Sequence, residues 1–330
     1  MTTRSLAVAL VLGLLAAPLA AGAQPAGKVA RVGVLLMLPP PPEGTPSSLS
    51  APLRALGWIE GQNLVIERRF AAGKEERLPE LAAELVRLGM DVLVTETSAG
   101  ARALKGATGT IPIVLFGVGD PAGRGLVASL ARPGGNITGM AWAVSPEVAG
   151  KQLQLLKEVA PTVSHVGVLW AHAYGRFEAM YGPALQAAAD ALGVQLRRFE
   201  VRDPQEFDGA FAAMRKQRVG ALLVYVWGIG PTDQRKLAAL AAAHRLPALY
   251  EAVAREWVDA GGLMSHGPVI ADMTRGVASY VDRILRGAKP AELPVELPAR
   301  YHLIINLRTA KALGLTIPPS LLVQADQLIQ

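Results

Sequence analysis

An α/β protein of two similar, doubly wound βαβ lobes facing each other across a cleft is what this sequence predicts, and three observations predict it. Short β-branched runs alternate with longer amphipathic stretches, the pattern of strands joined by helical crossovers. The same order of elements returns about 135 residues later, with equivalent strand entries at Pro112 and Pro247. Finally, 330 residues, 51% hydrophobic and 18% charged, exceed the roughly 250 to 300 residues one core organises and lie far from a disordered composition.

Met1 to Ala23 stands apart from this pattern. It carries one positive residue, Arg4, then an apolar run from Leu6 to Leu15, a breaker at Pro18, and the small residues Ala21-Gly22-Ala23. That is the layout of a secretory signal cleaved near Ala23, and the run is too short to span a bilayer comfortably. The mature chain is expected to begin near Gln24, outside the cytoplasm.

The first lobe opens with the run Arg31 to Leu36, then a segment ending Arg54-Ala-Leu-Gly57, then the run Asn63 to Phe70. A helix is expected from Leu78 to Leu88, because Leu78, Leu81, Ala82, Leu85 and Leu88 share one face at helical spacing. Strand Asp91 to Thr95, a helix from Ser98 to about Lys105, and strand Ile111 to Phe116 complete the set. In the second lobe, His165 to Trp170 answers Arg31 to Leu36, and Asp190-Ala-Leu-Gly193 with Val194 to Phe199 answers the second helix end and strand. Helix Pro204 to Lys216, strand Gly220 to Tyr225, helix Thr232 to His244 and strand Arg245 to Tyr250 follow. The tail after Gly287, with Pro290, Pro294, Pro298 and a strand from Tyr301 to Leu307, reads as a return crossing that straps the lobes together. The expected division is 28–143 with about 267–290 in the first lobe and 144–266 with about 291–330 in the second.

Composition removes several chemistries. With no Cys there is no disulfide framework, thiolate metal site or thiol nucleophile. A net charge of +6 suggests nucleic acid, but Lys and Arg occur only in pairs such as Arg68-Arg69 and Arg197-Arg198 among acids, the mark of a diffusely basic surface. Gly117-x-Gly119-x-x-Ala122 formally fits a dinucleotide fingerprint. Asp120 and Pro121 fall where amides should face a pyrophosphate, and no acid lies near 20 positions on. Leu263-Met-Ser265-His-Gly267 misses the nucleophile elbow, because Leu stands at its first glycine position. His165, His172, His244, His266 and His302 show no metal-ligand spacing. Neither a metal nor a cofactor is expected. The sequon Asn136-Ile-Thr138 is read as a turn.

The segment Gly117 to Gly139, GVGDPAGRGLVASLARPGGNITG, closely resembles the G-D-P…G-L-V-x-S-L-A-R-P-G-G-N-x-T-G stretch of the TrpX-like group of bacterial ABC-transporter substrate-binding proteins. Leu56 to Asn63, Arg77 to Arg87, Ala260 to Ser265 and Ile305 to Pro319 are similar to other stretches of that family, so the resemblance covers essentially the whole mature chain. It implies a periplasmic-binding fold of type I with three crossings between lobes. It also implies a periplasmic location, no catalytic step, and delivery of a small molecule to an ABC permease in the inner membrane. The chain departs from the family in the proline-rich loop after Leu38, in Ala171-His172-Ala173-Tyr174 after Trp170, and in His266 before Gly267-Pro268. These departures lie at loops expected to touch ligand.

Open parallel sheets bind ligands at the carboxyl ends of their strands, which makes those ends the candidate site. Six of the 17 aromatic residues cluster there in the second lobe: Trp170, Tyr174 and Phe177; Tyr225 and Trp227; and Tyr250. They stack on a flat or apolar ligand, or they pack the loops and hinge. In the first lobe, Thr97, Ser98 and Ala99 cap a helix or leave its amides open to an anion. Beyond Gly117, Asp120 at a strand end pairs with a ligand ammonium or caps the helix it precedes. An anion nest and an ammonium partner together describe an amino acid, with aromatic or branched ones favoured. The leading expectation is a monomeric solute-binding protein of an importer that binds a small molecule, not nucleic acid, by lobe closure. An exported α/β enzyme using the same cleft and a ligand-sensing subunit of a membrane receptor are the alternatives.

Overall fold

The computed structural model describes residues 29–142, 146–172, 177–226, 229–251 and 255–330. The signal segment, Tyr174 and Trp227 lie outside them. The first lobe runs β1 (Ala30–Leu36), α1 (Ser50–Ala55), β2 (Leu64–Phe70), α2 (Leu78–Arg87), β3 (Val92–Thr95), α3 (Ser98–Ala107), β4 (Ile113–Gly119) and β5 (Ile137–Trp142). These strands form one parallel sheet in the order β2-β1-β3-β4-β5.

The second lobe runs α4 (Pro146–Val159), β6 (His165–Ala171), α5 (Phe177–Leu192), β7 (Gln195–Val201), α6 (Phe207–Lys216), β8 (Ala221–Tyr225), α7 (Pro231–Ala243) and β9 (Ala248–Tyr250). It continues with α8 (Arg255–Asp259) and β10 (Met264–Pro268). After these come α9 (Ile270–Leu285), β11 (Tyr301–Asn306), α10 (Leu307–Ala312), α11 (Pro319–Gln324) and β12 (Gln327–Ile329). The second sheet is ordered β12-β11-β10-β9-β8-β6-β7, parallel except where β11 runs against β10. Its stretch β7-β6-β8-β9-β10 repeats β2-β1-β3-β4-β5 strand for strand, so the sequence repeat is a repeat of topology.

The helical face expected of α2 is buried at Leu78, Leu81, Ala82 and Leu85, with each leucine contributing about 1.5–3 kcal/mol. Leu88 is different: the helix stops at Arg87, and Leu88, as its C-cap, is 37% exposed. Three strands, β5, β10 and β12, escaped the sequence reading. The sequon read as a turn begins β5 instead; Asn136 fixes the entry by donating to the Thr108 and Ile111 carbonyls, and buried Thr138 donates to the Leu293 carbonyl at 2.6 Å.

The chain passes between sheets three times. It goes from β5 to α4, returns from β10 into α9, which packs on β4, β5 and α1, and leaves again between Glu296 and β11. Before that last crossing Glu296 bonds to the Gly139 carbonyl and accepts from the Ala141 N–H, so the segment to Glu296 extends the first sheet. Trp58 anchors α9 from the other side through its Nε1, 2.8 Å from Asp282.

Candidate functional site

Between the facing edges of the two lobes lies a cleft of about 420 Å³, a size within the ~300–1,000 Å³ of small-molecule sites. From the first lobe it takes the residues that follow the strands, as the parallel topology requires: Met37 and Leu38 after β1, Glu96 to Ser98 after β3, and Gly117 to Gly119 at the end of β4. The second lobe contributes the segment Val201 to Pro204 after β7, Met180 and Tyr181 on the first turns of α5, Phe207 at the start of α6, and Val226 after β8. Trp142, at the end of β5, lies on the hinge side.

Several of these positions are fixed by identifiable contacts. Thr97 is the N-cap of α3, its Oγ1 accepting the Gly100 N–H at 3.0 Å, while buried Thr95 below it donates to the Leu35 carbonyl. Gly117 sits at a register shift between β4 and β5 with φ of +74°, where a Cβ would come within 3.0 Å of the Trp142 ring. Glycine there combines a left-handed backbone with a close approach. The Trp142 indole N–H donates to the buried carboxylate of Glu251 at 2.7 Å, tying the last strand of the first lobe to the end of β9 in the second.

The charged side chains of the cleft carry both signs. Glu75 and Glu96 belong to the first lobe, as does Arg124, whose Nε donates to the Gly119 carbonyl at 3.0 Å. Arg202 and Asp203 belong to the second. Burial pushes the Glu96 pKa up, against a smaller downward pull from the amides of Met37 and Leu38.

Of the thirteen residues singled out in the sequence, Leu38, Thr97, Ser98 and Gly117 line this cleft. Ala99 packs one residue beyond it, against the first-lobe core. Asp120 does not line it; with φ of +44° its carboxylate accepts the Gly123 N–H at 2.9 Å and closes its own turn. Trp170, Tyr225 and Tyr250 lie in the core. Trp170 stacks on Phe177 at 5.0 Å, Phe177 packs on Tyr181 and Tyr225 at 4.9 Å each, and the Tyr225 hydroxyl donates to Gln152 at 2.7 Å. Tyr250 stacks on Trp257 at 4.7 Å. The physical reason is that helices cover both faces of this sheet, so its strand-end aromatics are roofed by α5 and α8.

His172 is exposed and pairs with Glu200 at 2.8 Å. His266, on β10, stacks against Tyr301; burial, with Lys151 adding to it and Asp326 opposing, drives its pKa down to about 4. Tyr174 and Trp227 fall outside the described residues. The sequence reading passed over Glu96, Trp142, Tyr181 and the Val201–Pro204 segment. Glu96 had a visible signal, an acid interrupting the hydroxyl-rich turn after an apolar strand.

Two repeated α/β lobes with three crossings and a cleft lined from both define a periplasmic-binding architecture of type I, a frame for holding a ligand. The chain belongs to the family of ABC transporter substrate binding proteins, which it matches over residues 44–329, and the resemblance seen in its motifs is thereby borne out. That family consists of substrate-binding proteins, not enzymes. A conserved domain protein from Vibrio cholerae O1 biovar eltor has the same fold, with 28% identity and a TM-score of 0.80 over 91% of this chain and 100% of that one. An ABC domain from Streptococcus pneumonia, solved in complex with L-Trp, is 27% identical with a TM-score of 0.79 over 91% of this chain and 99% of that one. In sequence, 114 residues are 32% identical to the tyrosine-binding protein of Clostridioides difficile (strain R20291); the match spans 34% of this chain and 32% of that relative's length. Among the described residues, no helix is long and apolar enough to cross a membrane.

Proposed function

We propose that the protein is the extracytoplasmic solute-binding component of an ABC importer, and that it takes an amino acid, with aromatic or branched ones favoured, into the cleft by closing its lobes. The observation that carries this reading is the cleft itself: it is lined from both lobes, walled by Met37, Trp142, Met180 and Phe207, and holds charged groups of both signs. A zwitterion with an apolar side chain finds a partner there for each of its parts. The L-Trp complex of one relative and the tyrosine-binding name of another point the same way. On this reading the leader is removed near Ala23 and the mature chain works in the periplasm as a monomer, handing its ligand to a permease in the inner membrane. Closure stabilised by differential affinity for ligand would supply the surface the permease reads.

A thermal-shift screen of the standard amino acids, with sugars as the contrast set, tests the ligand class, and small-angle scattering on the best compound tests closure. An aromatic or branched amino acid is expected to give the largest shift and to reduce the radius of gyration. A screen in which sugars stabilise the protein and no amino acid does would overturn the proposal.

A further inference from the structure

Glu96 is an unusual group to find in a binding cleft. It follows β3 directly, at the edge where the first lobe faces the second. Its Oε1 accepts the Met37 N–H at 3.3 Å, and the Leu38 amide is its other backbone contact. Among the described residues it forms no ion pair with a cationic side chain, whereas other half-buried or exposed acids such as Glu84, Glu178 and Asp208 each have one. A carboxylate drawn out of water without a counter-ion is costly in the empty protein, and the cost is recovered when a cation arrives. The upward displacement of its pKa by burial is the same fact expressed in protons.

From this we infer that Glu96 is the specificity-determining anchor for a cationic group of the ligand, the ammonium of an amino acid, and that Asp120 is not. The assignment rests on the amino-acid reading proposed above. Asp120 spends its carboxylate on the Gly123 amide of its own turn and stays out of the cleft lining, whereas Glu96 lies within that lining beside Thr97 and Ser98. Arg124 and Arg202 also line the cleft and give it positive charge on the side of each lobe.

The consequence separates a binding role from a structural one. A residue kept for the fold destabilises the protein when it is neutralised. A desolvated anchor behaves the opposite way, because removing its charge relieves the empty cleft while binding is lost. Its folded-state pKa is raised, so its stabilising contribution belongs to low pH and is lost as pH rises through that value; at neutral pH Glu96→Gln should therefore melt at or above the wild-type temperature.

Calorimetric titration of wild type and E96Q with L-tryptophan, tryptamine and indole-3-propionate tests the inference. The wild type is expected to bind both amines, and E96Q to bind each about ten- to a hundredfold more weakly, the range of one charge-assisted hydrogen bond. Indole-3-propionate, which lacks the ammonium, should bind E96Q at least as well as wild type. L-Tryptophan binding that is unchanged in E96Q overturns the inference while leaving the amino-acid reading intact, and so does an E96Q that melts well below wild type. Should none of the three probes bind, the E96Q comparison is made on the amino acid that shifts the melting temperature most. A screen without any such amino acid overturns the amino-acid reading and this inference together.

Discussion

The two lobes share one strand order yet place different side chains at the carboxyl ends of their strands. In the first lobe, the ends of β1, β3 and β4 open directly onto the cleft with Met37, Glu96 to Ser98 and Gly117. In the second, the ends of β6, β8 and β9 carry Trp170, Tyr225 and Tyr250, which are covered by α5 and α8, so β6 and β8 reach the cleft only through the small aliphatic Ala171 and Val226 that follow, beside the end of β7 and the first turns of α5. Equivalent topological positions thus serve as a polar rim in one lobe and as an aromatic pillar in the other. A duplicated fold repeats its hydrogen-bonded frame, while side-chain size decides which strand ends reach solvent.

That contrast predicts where a substitution will act. The largest effect belongs to the pillar: Phe177→Ala empties the centre of the Trp170, Tyr181 and Tyr225 contacts and is expected to cost about 3–5 kcal/mol of stability in chemical denaturation. A loss below about 1 kcal/mol would mean that this aromatic group is not a core element. Tyr225→Phe is milder. It removes the hydroxyl that donates to Gln152 and leaves a buried acceptor short of one partner, for an expected loss of about 1–3 kcal/mol. The smallest stability effect falls on the rim, where Thr97→Ala deletes the N-cap of α3 at a cost of about 1 kcal/mol. If Thr97→Ala also weakens amino-acid binding while Tyr225→Phe does not, the division between rim and pillar holds; the reverse pattern breaks it.

The sequence disclosed the frame well because the frame depends on spacing. Alternating runs, the helix ends at Gly57 and Gly193, and the paired Pro112 and Pro247 all survive as equivalent points in the two sheets. It disclosed the site unevenly. Residues that follow first-lobe strands could be named, since parallel topology alone places them at the sheet edge, and Leu38, Thr97, Ser98 and Gly117 are there. The second-lobe aromatics could not be assigned in the same way. Both faces of their sheet are covered by helices, so no apolar alternation distinguishes a buried ring from one at the cleft. β5 was hidden for a related reason: a glycine-rich motif with a sequon reads as a turn, while the strand is held by Asn136 and by pairing with β4, contacts that no local pattern encodes.

On the reading proposed above, one ligand touches the first-lobe rim and the β7 end of the second lobe at once. Hydrogen–deuterium exchange, with and without the amino acid that gives the largest thermal shift, measures this most directly. Protection is expected to appear together at Glu96 to Ala99 and at Val201 to Phe207, with little change around the already buried β8. Protection confined to one lobe, or centred on β8 and β9, would contradict that reading.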